Sequence, residues 1–197
     1  MRRLLLPLVF LLFASTATAA TIRGTKHSDT IIGTPASDHI VTGAGNDFVQ
    51  VAWGATDSVD CGAGRDVVSA DATDKVASSC DVVSRRLSVD PYKNADSQHE
   101  TAVEPDSASW GDTVVAAFQL GRRDNGGAAS NIGTAVSRND GRTWTRGFLQ
   151  ATTLYASPPG PEIAASDPAV AYDSVHGVWI VSTLTLESDF SHVYTAR

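Results

Sequence analysis

Seven times between Asp29 and Asp81 an aspartate is followed two residues later by Ile or Val. The pairs are Asp29/Ile31, Asp38/Ile40, Asp47/Val49, Asp57/Val59, Asp66/Val68, Asp74/Val76 and Asp81/Val83. The steps between the aspartates are 9, 9, 10, 9, 8 and 7 residues, while the offset to the apolar partner never changes. A fixed short period of this kind belongs to chains that stack one small unit on the next. Within each unit the apolar residue marks a short strand, alternating along the pleat, that turns one side chain inward. The expectation is a stack of such short strands over residues 21–85.

Glycines share the register. Gly24 and Gly33 stand five residues before Asp29 and Asp38, whereas Gly43 and Gly45 precede Asp47 by four and two, as Gly62 and Gly64 precede Asp66. Glycine turns the chain where positive φ is needed and leaves its carbonyl accessible. Aspartate supplies the hard anionic oxygen that Ca²⁺ prefers. The pattern resembles the nonapeptide G-G-x-G-x-D-x-U-x of RTX, or haemolysin-type, repeats. That resemblance implies Ca²⁺ held between successive turns, with Asp29, Asp38, Asp47, Asp57 and Asp66 as carboxylate ligands and carbonyls near Gly43, Gly45, Gly62 and Gly64 beside them. It also implies coupling of metal binding to folding, since stacked carboxylates repel one another without a cation. Thr25, Thr34, His27 and Ala36 depart from the motif, standing where it has glycine. After Asp66 the glycines vanish and the period shrinks, which reads as a degenerate cap. A metal-free solenoid whose aspartates only cap turns is the alternative.

Residues 1–19 read as a secretory signal peptide. Arg2 and Arg3 are followed by an apolar run from Leu4 to Phe13 and by Ala17-Thr18-Ala19, a small-residue cleavage pattern. An uncleaved amino-terminal anchor is the alternative. Export would place Cys61 and Cys80 in an oxidising compartment, where an even pair forms a disulfide; two free thiols are the other possibility. The chain carries a formal net charge of −7. Losing Arg2 and Arg3 makes it more acidic, which argues against a nucleic-acid partner, whose phosphates need a basic surface. No later apolar run is long enough to cross a membrane as a helix.

From Val83 to Ser97 neither period holds, and residues 86–98 read as a linker. Beyond His99 the texture changes to longer β-rich runs: Thr113 to Leu120, Asn131 to Ser137, Asp167 to Asp173 and Gly177 to Leu186. The stretch Ser137-Arg-Asn-Asp-Gly-Arg-Thr-Trp144 resembles the Asp-box S-x-D-x-G-x-T-W of sialidase-like (BNR) β-propellers. Its box residues would be Ser137, Asn139, Asp140, Gly141, Thr143 and Trp144, with Asn139 at the aspartate position; a plain β-hairpin is the alternative. Thr101 to Phe118 also looks like Pro168 to Thr183, each a strand, a turn and a strand. The resemblance implies an incomplete propeller of antiparallel sheets over residues 99–197, fewer than two blades, so that the sequence reads as a piece of a longer protein.

The fold expected is therefore all-β: a parallel roll followed by partial propeller blades. The expected function is a secreted calcium-binding protein with a structural or glycan-adhesion role and cell-surface glycans as partners. The alternatives are an exo-sialidase or related glycoside hydrolase, and a metal-independent stalk. No catalytic residue carries over: Arg122, Arg123 and Asp124 are only a charged loop, and Tyr172 alternates along a strand as a packing residue would. The HExxH, G-x-S-x-G and phosphate-loop patterns are absent from the sequence.

Overall fold

The computed structural model describes residues 18–187 and 191–197. The expected signal peptide lies almost wholly outside these residues. Among the described residues every regular element is a strand.

The amino-terminal part is a parallel β-solenoid of about four turns. Strands β1 (Thr21–Arg23), β3 (His39–Val41), β5 (Ser58–Asp60) and β7 (Lys75–Val76) form one sheet. Strands β2 (Thr30–Ile32), β4 (Phe48–Gln50), β6 (Val67–Asp71) and β8 (Val82–Arg86) form the other. Consecutive strands thus go to opposite sheets, and each full turn uses two of the sequence repeats. Register pairs Ile22, Ile40, Val59 and Val76 across the first sheet, and Ile31, Val49, Val68 and Val83 across the second. The two apolar columns meet in one core, which also takes in Val51, Ala70, Cys61 and Cys80. The inward role expected of the apolar repeat residue holds for Ile31, Ile40, Val49, Val59 and Val68, all buried. It fades at the carboxy end, where Val83 is 37% exposed. Cys61 and Cys80 form the expected disulfide. It closes a loop 19 residues apart in sequence, worth about 3 kcal/mol through the unfolded chain's lost entropy.

This core is thin. A rung buries essentially one Ile or Val side chain, worth about 1.5–3 kcal/mol, along with one aspartate. Burying an ionised carboxylate without a partner costs several kcal/mol. The fate of each aspartate therefore decides whether its rung is stable.

The remainder is an antiparallel sheet. Strands β9 (Ala102–Trp110), β10 (Thr113–Arg122), β11 (Ala129–Ser137) and β12 (Thr145–Phe148) follow one another as a meander. Strands β13 (Ala164–Asp173), β14 (Val178–Leu186) and β15 (Ser191–Ala196) make a second one. The two are joined by the single pairing of Ala129 with Ala165. The sequence repeat corresponds to the hairpins β9–β10 and β13–β14, turned at Gly111 and Gly177, both with positive φ. Residues 87–98 pack rather than hang between the two parts. Leu87 and Tyr92 lie against Phe118, Leu120 and Ala135, and Tyr92 accepts a hydrogen bond from the Asn131 amide.

Candidate metal centre

The solenoid sorts the aspartates into two columns, because alternate repeats fall on opposite edges. Asp29, Asp47, Asp66 and Asp81 precede the strands of one sheet; Asp38, Asp57 and Asp74 precede those of the other. One rule governs both columns. A carboxylate oxygen of each aspartate after Asp29 accepts a backbone N–H one turn earlier. Asp47 takes that of Asp29 and Asp66 that of Asp47, both at 2.8 Å; Asp57 takes that of Asp38 and Asp74 that of Asp57, at 2.7 and 2.9 Å. Asp38 and Asp81 do the same to Ala20 and Asp66. Every rung is thus stitched to the one before through half of a carboxylate.

The other half separates the rungs into two kinds. At Asp47, Asp57 and Asp66 the second oxygen, Oδ2, is buried and has no hydrogen-bond partner. These three residues are at most 2% exposed. At Asp29, Oδ2 accepts both the backbone N–H and the hydroxyl of Thr25, at 2.6 and 3.0 Å. At Asp38, Oδ2 accepts the N–H of Thr34 and Oδ1 accepts its hydroxyl at 2.9 Å. At Asp74, Oδ2 accepts the N–H of Asp71, and the Arg85 guanidinium lies over the Asp71 and Asp74 carbonyls at 2.9 and 3.1 Å.

The glycines explain part of this difference. Gly43, Gly45, Gly62 and Gly64 all have positive φ, and they sit on the Asp47–Asp66 edge, where consecutive loops stack backbone on backbone. Ala44 pairs with Ala63, the Ala63 N–H donates to the Gly43 carbonyl, and the Gly45 N–H donates to the Ala63 carbonyl. A Cβ on Gly64 would lie 1.7 Å from the Gly45 oxygen, and one on Gly62 would lie 2.1 Å from the Gly43 oxygen. Only glycine permits so close an approach. It stacks the carbonyls of Gly43, Gly45 and Ala63 within the two loops that lead into Asp47 and Asp66.

The electrostatics follow the same division. Burial pushes the Asp57 carboxyl up, the Asp38 amide opposes it, and the charges of Asp74, Asp38 and Asp71 add to the rise, leaving it at about 6. Burial also raises Asp38, but there the Thr34 and Ala20 amides and the Thr34 hydroxyl outweigh it and hold the group below the usual carboxylate value. A buried anionic oxygen with no donor, in a set made wholly of oxygen atoms, is a fit for a hard divalent cation.

Residues 23–56 match the family model of the RTX calcium-binding nonapeptide repeat, in four copies. These repeats bind Ca²⁺. The match spans Asp29, Asp38 and Asp47, two of them on one edge and one on the other. No curated protein and no solved structure matches the chain. Repeats of this type are typical of extracellular proteins, and among the described residues no helix is long and apolar enough to cross a membrane.

The second region singled out in the sequence folds into a closed turn. The Asn139 side-chain oxygen accepts the Thr143 N–H at 2.9 Å and the Thr143 hydroxyl at 3.2 Å. The Ser137 hydroxyl accepts the N–H of Gly141 at 2.8 Å. The Trp144 indole donates to the Gly141 carbonyl at 2.8 Å, with its ring packed against the Phe118–Leu120–Ala135 cluster. Asp140 takes positive φ. In the charged loop Arg123 pairs with Asp96 and also donates to the Ile163 carbonyl. Tyr172 is sandwiched between Trp110 and Trp179, with ring centroids 5.2 and 4.9 Å away.

The sequence pointed to the aspartates and glycines. The closing roles of Thr25 and Thr34 were marked only as departures from the motif, although "GTKHSD" and "GTPASD" repeat one G-T-x-x-S-D pattern. Arg85 carried no such signal, because its partners are backbone carbonyls brought near only by the coil.

Proposed function

We propose that this is an exported structural protein whose β-roll orders on Ca²⁺. The observation that carries the reading is the trio of buried, unpartnered oxygens on Asp47, Asp57 and Asp66. Asp47 and Asp66, with carbonyls around Gly43, Gly45, Gly62 and Gly64, would hold the ion on one edge, and Asp57 would hold it on the other. When bound, the cation supplies the positive charge these carboxylates lack. Asp29 and Asp38, members of the same columns, have their oxygens already engaged by the protein. Extracellular calcium modules work at affinities of roughly 10⁻⁴–10⁻³ M, so the roll would stay loose where calcium is scarce and order outside the cell. The signal-like residues 1–19 and the disulfide accord with that route. Isothermal calorimetry of the purified chain with Ca²⁺ and with Mg²⁺ tests the reading. Uptake of Ca²⁺ that weakens about tenfold or more in Asp47→Asn supports it, since affinity follows ligand charge. No heat with calcium in the wild-type chain would sink it.

For residues 99–197 the reading is a partial sialidase-like propeller, which separates from the roll across the connection at 86–98. It is supported by the four-stranded meander β9–β12, the second meander beside it, and the closed turn Ser137–Trp144 with Asn139 and Asp140 at its head. Propeller folds host many functions, and adhesion suits the chain better than hydrolysis. Trp110, 58% exposed, continues into Tyr172 and Trp179 as an aromatic row of the kind sugars stack on. Glycan-array binding that is lost in Trp110→Ala supports adhesion; turnover of a sialoside by the chain would favour the enzyme reading instead.

A further inference from the structure

Thr25 and Thr34 occupy equivalent places, four residues before Asp29 and Asp38, where Gly43 and Gly62 stand before Asp47 and Asp66. Their hydrogen bonds are near copies of each other. In each, the threonine amide and hydroxyl both donate to the aspartate. In each, the hydroxyl oxygen accepts the N–H two residues on, from His27 at 3.1 Å and from Ala36 at 3.2 Å. The preceding glycine makes room, for a Cβ on Gly24 would lie 2.9 Å from Asp29 Oδ2, and one on Gly33 would lie 3.1 Å from Asp38 Oδ2. Where glycine with positive φ replaces the threonine, at Gly43 and Gly62, there is no hydroxyl and the amide does not reach the carboxylate. The second oxygen of Asp47 and of Asp66 is then left bare. In these four rungs the residue four before the aspartate therefore decides whether that oxygen is satisfied from within the chain; at Asp57, where Trp53 stands in that place, no hydroxyl is offered either and Oδ2 is bare.

We infer that the G-T-x-x-S-D rungs are closed without a cation, the Thr25 and Thr34 donors doing at Asp29 and Asp38 what Ca²⁺ does at Asp47, Asp57 and Asp66. At the opposite end of the Asp38 column, Arg85 provides a built-in positive charge beside Asp71 and Asp74. The roll thus has metal-free ends and a calcium-dependent middle. Calcium would enter a stack already nucleated at its first turns, where the nearest-neighbour character of a solenoid lets order propagate. This rests on the calcium reading above, and it goes further in assigning which rungs take no ion and why.

The test uses the full chain with Thr25→Gly/Thr34→Gly, which removes both hydroxyls and restores one of the two missing motif glycines in each rung, and Thr25→Ser/Thr34→Ser, which keeps both hydroxyls. Bound calcium is counted by equilibrium dialysis, and melting is followed in EDTA and in CaCl₂. The glycine pair is expected to gain about one ion for each converted rung, to melt lower than wild type in EDTA, and to recover in calcium. The serine pair is expected to keep the wild-type count and the wild-type melting in EDTA. A wild type that binds calcium, with glycine and serine pairs that match it in count and in EDTA melting, overturns the inference alone. So does a glycine pair that stays unfolded even in calcium, since the ion would then be no substitute for the hydroxyl. A wild type that takes up no calcium overturns the underlying calcium reading, and this inference with it.

Discussion

The roll and the antiparallel sheet both bury polar groups, but they satisfy them differently. In the sheet these groups are mostly neutral and answer one another. The Asn131 amide donates to Tyr92 and to the Leu149 carbonyl, and its oxygen accepts from Ile132 and Thr152. The Thr153 and Thr183 hydroxyls donate to the Ser130 and Ser166 carbonyls. Glu162 is the buried acid of that half, accepting from the Tyr194 hydroxyl at 3.0 Å with its second oxygen unpartnered. In the roll the buried groups are two columns of acids, and Asp47, Asp57 and Asp66 each keep an oxygen that has no hydrogen-bond partner among the described residues. The sheet meets most of its polar interior from within, with Gln119 Oε1, Arg146 Nη1 and Glu162 Oε2 as exceptions. A core of one Ile or Val per rung cannot outweigh several kcal/mol of stranded charge. The lesson is that the same fold class, all-β, yields one region that mostly answers its neutral polar groups from within and one whose middle acids are left facing the place of a cation.

The sharpest way to break this comparison is at the glycine stack. Gly64→Ala puts a methyl group 1.7 Å from the Gly45 oxygen at φ +144°, so the backbone itself must move. Urea melts in CaCl₂ should show a loss of more than about 3 kcal/mol from the roll. The matching change in the antiparallel region, Gly126→Ala, also has positive φ but meets nothing within 4 Å and should cost only about 1 kcal/mol. Equal costs would contradict the close packing assigned to the roll. Next in size is the disulfide. Cys61→Ala/Cys80→Ala should lower the stability of the roll by about 3 kcal/mol, while near-UV signals from Trp144 and Trp179 persist at the wild-type melting point.

A smaller effect sharpens the charge argument. The Asp57 carboxyl is raised to about 6 in the fold, above its unfolded value of about 3.9. Its stabilising contribution is then fully present below about pH 4 and is lost as pH rises through 6. In EDTA the roll should therefore gain stability as pH falls from 7.5 toward 5, whereas calcium affinity should fall over the same range because protons compete for the site. Asp57→Asn should flatten both trends, as read by melting and calorimetry across that range. The smallest change expected is Asn139→Ala, which removes an acceptor for the Thr143 amide and hydroxyl. It should cost about 1 kcal/mol, read by urea denaturation of the sheet, with calcium uptake untouched.

Much of this contrast could be read in the chain. The constant Asp-to-Ile/Val offset placed the inward residues and the strands of the roll, and the even pair of cysteines foretold the bridge. The β-rich runs located β10, β11, β13 and β14 to within a few residues. What the chain did not disclose is which aspartates would be left bare. That depends on a partner one turn away, eighteen or nineteen residues distant, and on whether a hydroxyl such as that of Thr25 or Thr34 stands at the fourth position before the aspartate, where Asp47 and Asp66 have glycine and Asp57 has Trp53. The packing of Leu87 and Tyr92 on the sheet was hidden for a similar reason, since a polar, proline-containing stretch reads locally as a linker. Arg85 could not be foreseen, because a guanidinium over backbone carbonyls leaves no sequence pattern.

Hydrogen exchange of the full chain in CaCl₂ and in EDTA, read peptide by peptide, tests the central claim most directly. The amides of residues 43–69 should be protected with calcium and exchange at least about tenfold faster without it, while residues 113–137 exchange alike in both. Protection of residues 43–69 that is unchanged by removing calcium would contradict the account.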